Sequence, residues 1–348
     1  MTRRVRMRLR RWTLATAALI AGCALIPATA SAAVTLSNWD AAQQRQVVQA
    51  GLMRNLGRSF QGASAITAAQ ANAAFAALAA RLQNVTGAFS ANAVQTARDP
   101  VTVVSFDRML VAQLGLSATA SQVQATAAGA GLRPPSYFGS EVVARFLRLR
   151  YNHPSGTDQL ELFPTDPITR AEAAWSLAQV VSFGDWNVSS AEQSLSGFQL
   201  PAMSSAQRQV LQIAVSRIGY PYVWGGTTDD TSDGLAHGGF DCSGFAWRVY
   251  KVSGLPWGQR IRGRTAAQQA GEIPKRARLR MSQLQPGDVL FFGSAGYTGA
   301  ATEASIIHEG IYLGENWVIH SSNQGVYVLP LQGSWLGNSF AWGRRVIG

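Results

Sequence analysis

A chain of 348 residues that is 47% hydrophobic and only 14% charged is too apolar to remain disordered, and it is long enough for two ordinary domains. Neither a strict glycine period nor a long heptad run occurs, which excludes collagen-like and coiled-coil rods. The formal net charge is +11, but six of the 30 basic residues are Arg3, Arg4, Arg6, Arg8, Arg10 and Arg11. Without them 24 basic residues face 19 acidic ones, leaving +5, which argues against nucleic acid and is compatible with a polyanionic surface.

That arginine run opens a segment with the pattern of a secretion signal. Thr13 to Ile26 is apolar and too short to span a bilayer comfortably. Pro27 breaks it, and Ala28-Thr29-Ala30-Ser31-Ala32-Ala33 supplies the small residues that signal peptidase requires, so residues 1–32 are expected to be removed after Ala32. Upstream, Ile20-Ala21-Gly22-Cys23 resembles a lipoprotein processing box, although Ala24, Leu25 and Ile26 continue the apolar run past the cysteine. Arg10-Arg11 hints at twin-arginine export, which Thr13 and Leu14 fit poorly. No later stretch is apolar enough to cross a membrane. The expectation is a mature chain that is secreted, with a lipid tether at Cys23 as the alternative. Cys242 is then the single cysteine of the mature chain and has no intramolecular partner, so it is either buried and inert or a working thiol.

Residues 35–185 are rich in alanine and glutamine and are predicted to be all helical. Thr67-Ala68-Ala69-Gln70 and Thr169-Arg170-Ala171-Glu172 fit a capping box. Ala71, Ala74, Phe75, Leu78 and Leu82 follow the first at helical spacing, and Ala174, Leu177, Ala178 and Val181 follow the second. Phe106, Met109, Leu110 and Leu114 repeat that face behind Val101-Thr102. His153 lies in a Pro-Ser-Gly turn and is expected at the surface. Periodicity alone implies no more than a small helical bundle. The run Phe163-Pro164-Thr165-Asp166-Pro167-Ile168-Thr169-Arg170-Ala171-Glu172, however, resembles the end of an S-layer homology repeat, and residues 66–82 and 101–116 do so faintly. Such a resemblance implies three packed repeats that hold anionic wall polysaccharide through an arginine. Only Arg170 matches that position, where the other two repeats carry Ala68 and Val103. The domain is therefore a wall anchor or a scaffold derived from one. Residues 186–204, rich in turn and cap residues, are expected to be a linker.

From residue 205 onward Gly, Tyr, Trp and Val dominate in short strand-like runs. After Asp241, a good N-cap, the chain reads as a helix with Phe245, Val249 and Val252 on one side and Gly254 at its close. Cys242 falls in the first turn, where free amides and the helix dipole favour a thiolate, while the capping carboxylate opposes it; a base is needed. The histidines are His153, His237, His308 and His320. His237 lies in a Gly- and Asp-rich loop close to the cysteine and is the rival base. His308 and His320 stand in Ile306–Leu313 and Trp317–His320, which read as a hairpin closed by Gly314-Glu315-Asn316. An odd-length loop puts both on one face, diagonally close. Either histidine alone could be structural; the pair together with a lone thiol points to nucleophilic catalysis.

These residues stand in motifs whose order and spacing are telling: Gly219-Tyr220-Pro221-Tyr222-Val223-Trp224-Gly225-Gly226, Asp241-Cys242-Ser243-Gly244, Leu284-Gln285-Pro286-Gly287-Asp288-Val289-Leu290-Phe291-Phe292, and His308-Glu309-Gly310-Ile311-Tyr312-Leu313-Gly314. Residues 205–348 thereby resemble the NlpC-type cysteine peptidases of bacterial cell walls, a papain-like family. The resemblance implies an α+β papain-like domain behind the all-α one, with Cys242 as nucleophile, His308 as base and His320 orienting it. It also implies that Tyr222 lines the site, and that Asp241 and Ser243 help hold the free amine of the substrate. Two departures bear on pocket shape and substrate choice: the long stretches Thr227–Gly239 and Gly293–Ser305, and Glu309 where an apolar residue is usual. The expected activity is hydrolysis of peptidoglycan stem peptides between D-glutamate and the adjoining diamino acid. The alternatives are a wall-binding module with a gated hydrolase domain, or an acyltransferase on the same scaffold. No metal or organic cofactor is expected, because the few histidines and the lone cysteine form no ligand cluster.

Overall fold

The computed structural model describes residues 38–86, 96–229, 238–294 and 303–348. The expected signal segment with Cys23, and His237, lie outside these residues, as do the middles of the two long stretches, 230–237 and 295–302.

The first domain is built of helices α1 (Ala41–Gln49), α2 (Ala68–Thr86), α3 (Val103–Gln113), α4 (Ser117–Gly129), α5 (Phe138–Phe146) and α6 (Arg170–Val181). Its three threonine-led helices start as the caps dictate. The Thr67 hydroxyl accepts from Gln70 N–H at 3.2 Å, and the Gln70 carboxamide accepts from Thr67 N–H at 3.1 Å. Thr102 and Thr169 accept from Ser105 and Glu172 N–H at 3.3 and 3.2 Å. The reciprocal half of the second box is replaced: the Glu172 carboxylate turns instead to His153 Nε2 at 2.8 Å and to Arg150 at 3.8 Å. The strands of chain leading into these helices lie side by side, with Ile66 N–H bonded to Ile168 O and Ile168 N–H to Val101 O. Apolar faces of α2, α3 and α6 bury Phe75, Leu78, Phe106, Leu110 and Leu177 in one core.

His153 is a correction to the surface position expected. It is 4% exposed, held by Glu172 and enclosed by Trp39 and Tyr151 at ring-centroid distances of 4.4 and 5.3 Å. The stretch 186–204 is also more than a linker. Helix α7 (Asp185–Ser196) opens where the Asn187 carboxamide accepts from Gly184 N–H at 2.8 Å, so its turn-like residues are helix-start signals. Ala191, Leu195 and Phe198 anchor this segment in the core.

The second domain is α+β. Helix α8 (Ser205–Ser216) begins with a complete Ser204–Gln207 capping box. A two-residue ribbon, β1 (Thr227–Thr228) with β2 (Gly239–Phe240), leads into helix α9 (Cys242–Lys251), and α10 (Ala266–Gly271) follows. The sheet comprises β3 (Val289–Gly293), β4 (Ile306–Gly314), β5 (Trp317–Ser322), β6 (Gly325–Pro330) and β7 (Phe340–Arg344), antiparallel in the order β6-β5-β4-β3-β7. Short helix α11 (Trp335–Ser339) precedes β7. Strand alternation splits the sheet's side chains between two faces. Val289, Phe291, Ile311 and Ile319 join Phe245 and Val249 of α9 in the main core, whereas Leu290, Phe292 and Val318 pack with Leu336 of α11. Val252, expected on the apolar side of α9, sits at its C-cap and is 39% exposed.

The two domains share one core, with Phe198 against Trp317 at 5.0 Å and Phe163 edge-on to Tyr220 at 5.1 Å. Arg145, paired with Glu141 at 3.1 Å, donates to Gly219 O at 3.0 Å, and the Asn152 carboxamide accepts from Tyr222 N–H at 2.8 Å. Among the described residues no helix is long and apolar enough to cross a membrane.

Candidate active site

Asp241 caps α9 by accepting from Gly244 N–H at 2.6 Å, which makes Cys242 the first helical residue. A Cβ on Gly244 would lie 1.9 Å from Gly226 O, so only glycine lets the Gly225–Gly226 turn pack on this helix start. Gly226 O in turn accepts from Asp241 N–H at 3.2 Å, and Ser321 of β5 bonds Phe240 O at 2.7 Å. These contacts fix the beginning of α9 against the strand that carries His320.

Cys242 is a free thiol, 8% exposed. Burial, followed by the nearby Glu309 and Asp241 carboxyls, pushes its pKa up to about 12, against hydrogen bonds from the backbone N–H groups of Glu309 and Ser243. The helix start therefore does not produce a resting thiolate, because desolvation outweighs the amides. The Glu309 contact also sets the thiol against the residue that follows His308.

The hairpin behaves as its spacing predicts. Glu315 and Asn316 both adopt positive φ, 44° and 73°, as a tight two-residue turn requires, and one bulged residue before Gly314 makes the count odd. His308 and His320 share a face, with Nε2 of His308 2.9 Å from Nδ1 of His320. Trp335 covers both at 5.1 and 5.9 Å, and Tyr327 lies 4.3 Å from His320. Burial pushes the pKa of His308 down to about 3 and that of His320 well below its usual value. Both rings are neutral at pH 7.

Tyr222 is half-buried, and its hydroxyl is pushed up by burial and then by Cys242 and Asp241, which puts it beside the thiol. Asp241 and Ser243 are adjacent to Cys242, but both are already engaged. Arg264 reaches both Asp241 oxygens at 3.0 and 2.8 Å and Ser243 Oγ at 3.1 Å. The Asp241 carboxylate, expected to hold a free amine, thus already shares its charge with a guanidinium. No sequence motif marks Arg264; its only sequence signal is a basic residue preceding the Thr265–Gln268 capping box. Trp335, Tyr327 and Asn152 were likewise invisible, because nothing in their local sequence points to the histidines or to Tyr222.

Arg170 is brought to none of this, and its expected polymer contact is corrected. The side chain is 1% exposed. Nε donates to Phe60 O at 2.9 Å and Nη2 to Arg54 O at 2.6 Å, with the guanidinium 4.6 Å over the Phe60 ring. It ties the start of α6 to the loop after α1 and presents no charge to a polymer.

Comparison with known proteins places the sequence that carries these residues in a family. The sequence profile of the NlpC/P60 family matches residues 219–345. A protein of Mycobacterium tuberculosis named a probable endopeptidase is 35% identical over 127 residues, which are 36% of this chain and 26% of that protein. The bifunctional muramidase/DL-endopeptidase CwlT of Bacillus subtilis is 32% identical over 136 residues, 39% of this chain and 35% of its own. The solved P60 domain of a Mycobacterium avium subspecies paratuberculosis antigen is 25% identical, covering 41% of this chain and 96% of that domain with a TM-score of 0.32. The match thus spans about a quarter to a third of the length of these curated relatives. Over residues 219–345, with its thiol at a helix start and its histidine pair on the adjoining hairpin, the chain belongs to the NlpC/P60 family.

Proposed function

We propose that this chain is an exported endopeptidase that hydrolyses peptidoglycan stem peptides through a cysteine nucleophile, at the bond between D-glutamate and the adjoining diamino acid. The observation that carries the reading is the lone thiol of Cys242 at a capped helix start, against the strand whose His308 is hydrogen-bonded to His320 at 2.9 Å. The names of the B. subtilis relatives, a DL-endopeptidase and a gamma-D-glutamyl-L-lysine dipeptidyl-peptidase, support the choice of bond.

The thiol and imidazole are neutral at rest, so the proton moves when substrate arrives. Cys242 gives its proton to Nδ1 of His308 as sulfur attacks the carbonyl carbon. The oxyanion takes up N–H groups at the helix start, that of Cys242 among them. The imidazolium then protonates the leaving amine, the C–N bond breaks and a thioester remains. Water attacks it with His308 as base, releasing the acid and restoring the thiol. This role needs the tautomer in which His308 Nε2–H donates to His320 Nδ1, leaving His308 Nδ1 unprotonated. Tyr222 lines the cleft, and Asp241, Ser243 and Arg264 together receive the charged groups of the stem.

The test is digestion of purified peptidoglycan by the mature chain and by Cys242→Ala, with released peptides identified by mass spectrometry. New free amines on the diamino acid, produced by the parent and lost in the variant, are expected. An active Ala variant, or an untouched wall under conditions where the chain is folded, would sink the assignment.

A further inference from the structure

The positive charge of the mature chain is not spread over it. Between residues 256 and 280 stand Arg260, Arg262, Arg264, Lys275, Arg276, Arg278 and Arg280, with Glu272 as the one acid, a local balance of +6. Of the 24 basic and 19 acidic residues beyond residue 32, the remaining 17 and 18 leave −1 for everything else. The segment accounts for the whole excess.

The fold keeps these charges together. The Glu272 carboxylate accepts from the backbone N–H of Arg262 at 2.8 Å and of Gly263, and pairs with Arg344 at 2.5 Å, so the two halves of the segment are tied side by side. That spends the single acid on backbone and on a buried arginine. Arg264 and Arg278 are engaged with Asp241 and Glu303. Arg260, Arg262, Lys275, Arg276 and Arg280 are exposed, and none of the ion pairs among the described residues uses them. Among the described residues the exposed large hydrophobics are Trp186, Trp224, Val252, Ile307 and Trp335, all outside the segment. A cationic strip without apolar anchors suits a hydrated polymer of fixed anions rather than a bilayer, where insertion of apolar side chains would be expected.

From this we infer that residues 256–280 form a docking strip for the anionic, phosphate- or carboxylate-bearing polysaccharide of a cell wall. The inference rests on the wall substrate proposed above and moves polymer contact from Arg170 to the second domain. The strip reaches the candidate site through Arg264, whose guanidinium is bonded to Asp241 beside Cys242. Polymer held on it keeps stem peptides next to the thiol.

The experiment compares the full mature chain with a fourfold reversal, Arg262→Glu, Lys275→Glu, Arg276→Glu and Arg280→Glu. Its control is an equal reversal on the helical domain, Arg45→Glu, Arg58→Glu, Arg81→Glu and Arg108→Glu. Each is sedimented with wall sacculi that retain their anionic polymer, with acid-stripped sacculi, and with vesicles of phosphatidylglycerol and phosphatidylcholine. Each is also assayed on a soluble stem peptide. The strip reversal should lower retention on intact sacculi at least tenfold, as should stripping or about 0.5 M salt, while the control reversal keeps it. Both variants should keep the parent kcat/KM on the peptide. Retention within twofold of the parent after strip reversal, indifference to salt and stripping, or stronger binding to vesicles than to sacculi would overturn the strip. A parent that sediments through the strip yet cleaves no stem peptide would overturn the hydrolase reading and leave the strip standing.

Discussion

Glu309 is 0% exposed, and neither of its carboxyl oxygens has a hydrogen-bond partner among the described residues. It lies among two ion pairs that are already complete, Asp241 with Arg264 and Glu272 with Arg344, so three carboxyls share two guanidiniums. Burial first, then the charge of Asp241, pushes its pKa well above 4.5; Glu272 adds to this while Arg344 and Arg264 oppose it. A carboxyl whose folded pKa is raised contributes stability that is complete below its unfolded pKa and is lost as pH rises through the folded one. Glu309→Gln keeps the shape and cannot ionise. It should therefore melt with the parent near pH 4 and above it at higher pH, by roughly 1–3 kcal/mol once the parent carboxyl would have to ionise. Melting curves of both proteins from pH 4 to pH 9 decide this. Parallel curves across that range would mean that Glu309 has a partner after all.

At the level of the β4–β5 hairpin, the histidine pair depends on a position with no side chain. Gly310 lies opposite His320, and a Cβ there would come within 2.9 Å of both His320 Cβ and Val318 Cγ1. Gly310→Ala should fold, cost about 1–3 kcal/mol of stability through overpacking, and lower kcat/KM on a stem peptide more than tenfold by displacing His320 from His308. The two rings are unequal in the mechanism proposed. His308→Gln should be inactive. His320→Gln, which can still accept the hydrogen bond, should keep measurable activity, and His320→Ala should lose more. Matching circular dichroism and melting must accompany each assay. Full activity in His308→Gln would transfer the base role elsewhere, with His237 the next residue to substitute.

Across the whole molecule, the helical domain is part of the structure that holds the Tyr220–Gly226 segment beside the candidate site. Arg145 and Glu141 are buried at 4% and 0% exposure, and the guanidinium clamps Gly219 at the entrance to the Tyr220–Gly226 segment. Asn152 holds the backbone of Tyr222 directly. Arg145→Met strands the Glu141 carboxyl in the interior and removes the donor to Gly219, and should cost about 3–5 kcal/mol. Chemical denaturation should register that loss as one transition shared by both domains, since they share a core. A variant that unfolds in two separate steps, with the second domain at its parental midpoint, would show that the clamp does not couple them.

Much of this protein is written in short-range patterns. The Thr and Ser caps, the cap at Asp241 and the hairpin that pairs His308 with His320 are each decided by residues within a few positions of one another, through backbone hydrogen bonds and a strand period of two. Local spacing therefore carries the helical domain, the α+β domain, and the placement of Cys242 at a helix start and of the histidine pair on a hairpin. Side-chain destinations are another matter. Arg170 bonds to carbonyls 110 and 116 positions away, Arg145 to one 74 away, Asn152 to an amide 70 away and Arg264 to a carboxylate 23 away. A buried guanidinium must find acceptors wherever the packed chain provides them, and no local signal says whether that is a wall polymer or a loop of the same protein. So it was tertiary packing that turned Arg170 inward, buried His153 against Glu172, put Arg264 on Asp241 and buried the Glu309 carboxyl beside Cys242 with no hydrogen-bond partner among the described residues.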